Sequence, residues 1–107
     1  MFYFLNLFIM LKHLINITQA NAIIQSMDDE FDSHKFIETF AKRHPDEYRA
    51  IRRRYTTDAD RKTNALIARF LLANTDSELN ITKVEDRKNR SKNIHELITS
   101  CAVWRKN

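Results

Sequence analysis

From Leu11 onward the apolar residues recur at helical spacing, broken by polar clusters that divide the chain into short segments. A stripe of Ala20, Ile23, Ile24 and Met27 follows Thr18, a suitable N-cap, and predicts a first helix that ends among Asp28, Asp29 and Glu30. An element boundary is expected at residues 28–32, where carboxylates favour the N-terminus of whatever helix follows. Asp32 or Ser33 then caps a second helix carrying Phe36, Ile37, Phe40 and Ala41, which Pro45 stops at His44. Proline is favoured in a first turn, so Pro45 also opens a third helix with Tyr48, Ile51 and Tyr55 on one face. Thr57 and Asp60 resemble a capping box ahead of a fourth helix, whose stripe is Leu66, Ile67, Phe70 and Leu71 and whose stop is Asn74.

Beyond residue 75 the periodicity weakens. Leu79 to Val84 is rich in β-branched residues and predicts a strand, followed by a polar, basic connection over residues 85–93. Asn93 with Glu96 suits the start of a short helix through Ile94, Leu97, Ile98 and Cys101, with a returning strand over Cys101 to Arg105. The expected fold is therefore mainly α: a compact bundle of about four helices with room for a small C-terminal β-hairpin.

The first eleven residues, Met1 to Leu11, are apolar except for Asn6. They suit a secretory signal poorly, because Lys12 follows the apolar run instead of preceding it and no small-residue cleavage site comes after. The run also falls short of the roughly 20 residues a membrane-spanning helix needs. Residues 1–10 are read as an apolar N-terminal extension, either upstream of a natural start at Met10 or covering the core, and residues 11–107 as a single helical domain.

Composition mainly excludes. With no glycine in 107 residues, the chain has neither a phosphate-cradling loop nor a dinucleotide-binding turn, and nine asparagines can serve at left-handed turn positions. Cys101 is the only cysteine, so no internal disulfide forms, and no Cys/His spacing resembles a zinc site. A reducing, cytoplasmic setting and no cofactor are expected. Its apolar neighbours Ile98 and Ala102 make Cys101 a buried thiol and not a nucleophile.

The formal net charge of +4 is unevenly spread: residues 1–41 carry −3, residues 42–92 carry +6 and the remainder +1. Arg49, Arg52 and Arg53 share a face of the third helix, Arg61 and Lys62 lie in the first turn of the fourth, and Arg87, Lys88, Arg90 and Lys92 form a second cluster. Guanidinium groups match phosphate oxygens in shape and charge, so Arg49, Arg52, Arg53, Arg61, Lys62, Arg87 and Lys88 are the candidate nucleic-acid-binding residues, with DNA or RNA as partner. Over residues 33–106 the order of elements resembles the winged helix-turn-helix arrangement. That resemblance implies a base-reading fourth helix, with Arg61, Lys62, Asn64 and Arg69 exposed, and a hairpin that touches backbone.

Two further classes compete. Phe2, Tyr3, Phe4, Leu5, Phe8 and Ile9 would make an interaction surface for itself or another protein. A metal-dependent nuclease would use the acidic run Asp28, Asp29, Glu30 and Asp32, or the acid-x-lysine element of Asp86 and Lys88. The EF-hand spacing is absent from that run and the four histidines form no i, i+4 pair, so no catalytic or metal site is assigned. The expectation is a non-enzyme, with no small-molecule substrate and no membrane partner.

Overall fold

The helices form where apolar spacing and capping groups coincide. Helix α1 spans Ile17–Gln25; its cap is Asn16, whose Oδ1 accepts from the Gln19 N–H at 3.1 Å, two residues before the expected Thr18. Helix α2, Ser33–Arg43, begins at Asp32, whose Oδ1 accepts from the Lys35 N–H at 2.8 Å. Pro45 opens α3, Pro45–Arg52, and α4 runs over Ala59–Ala73 to its C-cap at Asn74. The expected capping box at Thr57 is absent: Asp58 is the N-cap, in the left-handed region at φ 50°, without a side-chain cap bond. The computed structural model describes residues 10–11, 13–75 and 78–107, with only the backbone of residue 86.

The mainly-α expectation is overturned: the chain is mixed α/β. Among the described residues three strands, β1 Glu30–Asp32, β2 Ile81–Lys92 and β3 Ile98–Lys106, form an antiparallel sheet in the order β1-β3-β2. The acidic boundary at 28–32 contains β1, with Phe31 buried opposite Trp104. The basic segment at 85–93, expected as a connection, is mostly strand, and the winged helix-turn-helix-like reading that treated it as a loop falls with it. The short helix expected after Asn93 is a turn. Asn93 Oδ1 accepts from the N–H groups of His95 and Leu97 at 2.8 and 3.1 Å, and Glu96 takes the left-handed region at φ 67° in the absence of any glycine.

Strand β2 meets β3 in two stretches. Ile81 to Lys83 pair with Lys106 to Trp104, and Lys88 to Lys92 pair with Ala102 to Ile98, with a bulge between Lys83 and Lys88. The bulge bends the strand and re-aims its side chains. Because β1 pairs only with Val103 to Arg105, the outer hairpin from Lys88 to Ala102 continues as a two-stranded arm. Among the described residues β2 is an outer strand with one edge of its backbone unpaired, and its many charged side chains oppose edge-to-edge association.

Helix α2 is the hub of the packing, touching α1, α3, α4, β1 and β3. The core gathers Ile23, Phe36, Phe40, Ile67, Phe70 and Leu71 from the helices with Ile81 and Trp104 from the sheet. Met10 and Leu11 are half-buried against it, whereas residues 1–9, the rest of the expected extension, lie outside the described residues. Among the described residues no helix is long and apolar enough to cross a membrane.

Trp104 is 2% exposed, and its indole N–H donates to the Ser33 hydroxyl at 2.9 Å. Replacing Ser33 with alanine leaves that buried donor unpaired, so urea denaturation of Ser33→Ala should show a loss of about 1–3 kcal/mol with native secondary structure retained.

Candidate functional site

The seven candidate basic residues fall into two groups. Four meet carboxylates: Arg49 pairs with Asp46, Arg52 with Asp60 at 2.7 Å, Arg61 with Asp58, and Arg87 with Glu30 at 2.7 Å. Lys62 donates to the Thr57 hydroxyl at 3.2 Å and lies 5.8 Å from the Tyr55 ring centre. Arg53 and Lys88 are exposed, with no carboxylate within 4.0 Å among the described residues. Arg49 and Arg52 lie on α3 and Arg53 follows as its C-cap, and acids from the same or a neighbouring element pair with the first two.

Asp60 ties this region to the hairpin. Its carboxylate is held below the usual range by the hydrogen bond from Arg52, against some burial, with His95 adding attraction. His95 Nε2 lies 3.7 Å from the same carboxylate, which brings the hairpin turn against the start of α4. Glu30 plays a comparable part at the bulge, bonded by both Arg87 and Arg105, and its carboxyl is lowered chiefly by the Arg87 hydrogen bond.

Strand alternation separates the arm's two sides. Lys88, Arg90 and Lys92 stand on one side, opposite Ala102, Ser100 and Ile98, so no carboxylate faces them across the ladder. Their neighbours on that side are about 6.6 Å apart along the strand. Asn89 and Ser91 stand on the other side and reach Asp32, donating to its Oδ2 at 2.9 and 2.8 Å.

The proton positions in that junction follow from donor counting. Asp32 accepts only, so the single Ser91 proton goes to it, and Ser91 Oγ must accept from His34 Nδ1–H at 2.8 Å. In the neutral imidazole, His34 Nε2 then accepts from the Thr99 hydroxyl at 3.1 Å. Burial is the largest influence on Asp32 and opposes its ionisation, yet the bonds from Asn89, the Lys35 N–H and Ser91 together hold its carboxyl below the ordinary range. Cys101 lies at the same junction, 4.0 Å from Ser91 Oγ. Burial pushes its thiol up, so it stays protonated near neutrality and is a poor nucleophile.

The acidic run does not converge. Asp32 is committed to its cap and to the arm, Glu30 to two arginines, and among the described residues no group of three His, Cys, Asp or Glu side chains could hold a metal. The side chain of Asp86, part of the other nuclease element, and Phe2 to Ile9 of the proposed interaction surface lie outside the described residues.

Sequence reasoning missed one feature entirely. A groove of about 800 Å³ runs between α4 and the hairpin, lined by Ala65, Ala68 and Leu72 on one wall, Leu97 and Ala102 on the other, and Ile37 and Trp104. It exists because α4 packs on α2 and α3 while standing off from β2 and β3. No local signal marks it, because alanines on the outer face of a helix read as solvent-facing positions.

Asp32→Asn tests the junction. One amide oxygen cannot serve both the Lys35 N–H and the two donors on the arm, so the variant should lose about 1–2 kcal/mol at neutral pH. The wild-type advantage is complete above the unfolded carboxyl value near pH 4 and fades as pH falls through the lower folded value, which chemical denaturation across pH 2–7 would show. No protein family, curated protein or solved structure matches the chain.

Proposed function

We propose that this protein is a nucleic-acid-binding accessory protein that lays one side of its hairpin arm against the phosphate backbone. The reading is carried by the file of Lys88, Arg90 and Lys92 on a two-stranded ribbon that extends past β1, with no acid opposite. From Lys88 to Ala102 the arm holds these three cations and the one carboxylate of Glu96, which pairs with Lys92 at 3.3 Å. A two-stranded ribbon fits the major groove of duplex DNA, and contacts from lysine and arginine to phosphate need no base sequence.

This places the weight differently from the sequence-based expectation. Lys88 stays central, and Arg90 and Lys92 join it. Arg49, Arg52, Arg61 and Arg87 would each have to give up an existing carboxylate to bind phosphate, so they contribute less. Arg53 stays available at the end of α3.

A fluorescence titration of duplex and single-stranded probes at several salt concentrations tests this. Wild-type affinity should fall linearly with the logarithm of salt, and Lys88→Ala/Arg90→Ala should lower the duplex slope by about 2, while Arg49→Ala/Arg52→Ala changes it far less. Equal binding by wild type and the Lys88→Ala/Arg90→Ala variant would overturn the reading.

A further inference from the structure

None of Lys88, Arg90 and Lys92 lines the groove beside α4, which has its own chemistry. Among the described residues the exposed large hydrophobic side chains are Leu72, Leu97 and Ile98, at 54%, 62% and 58% exposure. Leu72 and Leu97 line the groove and Ile98 follows Leu97 directly. Apolar exposure concentrated at a concave site marks a place where something binds.

The two ends differ in charge. At the hairpin-turn end, Asp58 is paired with Arg61, and Asp60 with Arg52 and His95. The other end is fixed by the connection out of α4, where the Ile81 N–H donates to the Thr75 carbonyl at 3.3 Å and so sets Lys83 beside the helix C-terminus. Arg69 and Lys83 line the groove there, with no carboxylate within 4.0 Å among the described residues. The groove calls for one anionic group at that end and none at the other.

Length and lining select the rest of the occupant. From Arg61 to Leu72 the helix rises roughly 16 Å, the reach of about five residues of extended peptide. Ala65, Ala68 and Ala102 leave space for side chains, while Asn64, Thr99 and Ser100 interrupt the apolar walls with hydrogen-bonding groups. Asn64 Oδ1 already accepts from Tyr48 and Thr99 already meets His34, but a hydrocarbon chain would cover the Ser100 hydroxyl and the Asn64 amide N–H groups without pairing them, whereas peptide amides satisfy them. We infer that the groove between α4 and the hairpin docks the apolar C-terminal segment of a partner protein, with its terminal carboxylate between Arg69 and Lys83. C-terminal carboxylate capture is an established mode of peptide recognition.

Fluorescence anisotropy with a fluorescein-labelled pool of pentapeptides, randomised over Leu, Ile, Val, Phe and Ser, tests this directly. The free-carboxylate pool should bind about tenfold tighter than the same pool amidated, and Arg69→Gln/Lys83→Gln should erase that difference. Ala68→Trp, which fills the groove, should abolish binding, and the exposed change Leu72→Ser should weaken it even if Ala68→Trp fails to fold. Lys88→Ala/Arg90→Ala should bind the peptides as wild type does, which separates this site from the nucleic-acid surface. No binding up to about 1 mM, equal binding of acid and amide pools, wild-type binding by folded Ala68→Trp or by Leu72→Ser, or binding of laurate in place of peptide would each overturn the inference.

Discussion

One carboxylate joins the two layers of this protein. Asp32 ends β1, caps α2 through Oδ1 and receives Asn89 and Ser91 of β2 through Oδ2. The first turn of α2 supplies a backbone donor, the Lys35 N–H, and the arm supplies side-chain donors, so a single acidic residue satisfies both and sets the arm's register against the helices. Because strand alternation is strict, turning Asn89 and Ser91 inward turns Lys88, Arg90 and Lys92 outward. The charged file is thus a geometric consequence of the junction as much as of composition.

The same constraint shapes the groove. His34 and Cys101 sit at the junction and also line the groove, so the arm is held at its α2 side while α4 is held by α2 and α3. Between two walls anchored from opposite sides, small residues on α4 leave room that no side chain of the core fills. Ile37 and Trp104 close the floor, and Trp104 is itself locked by Ser33, the residue after Asp32. Two surfaces of different chemistry therefore depend on one short stretch, Asp32 to His34.

The helices were legible because their apolar stripes face a common core; Asp32, Pro45 and Asn74 act at the ends where local chemistry placed them. The sheet was legible only in part: the strands expected at Leu79 to Val84 and Cys101 to Arg105 overlap β2 and β3, and the rest escaped for reasons that differ by segment. Strand β1 is three residues long inside an acidic run, and only Phe31 is buried. The outer half of β2 lies beyond the core, so both of its faces are polar and alternation leaves no trace. Asn93 and Glu96 have the spacing of a helix start, yet the Asn93 side chain binds its neighbours in a hairpin turn. At the basic surface, Asp46 and Asp58 were within three residues of their arginines and could have been read as partners. Glu30 lies 57 positions from Arg87 and could not.

The decisive measurement is hydrogen exchange along the arm in Asp32→Ala compared with wild type. If this carboxylate holds the hairpin to the helical layer, amides of Asn89 to Lys92 and the first turn of α2 will lose protection selectively, while those of α4 keep theirs. Unchanged protection in the arm, with the variant destabilised evenly or not at all, would show that its position is set elsewhere.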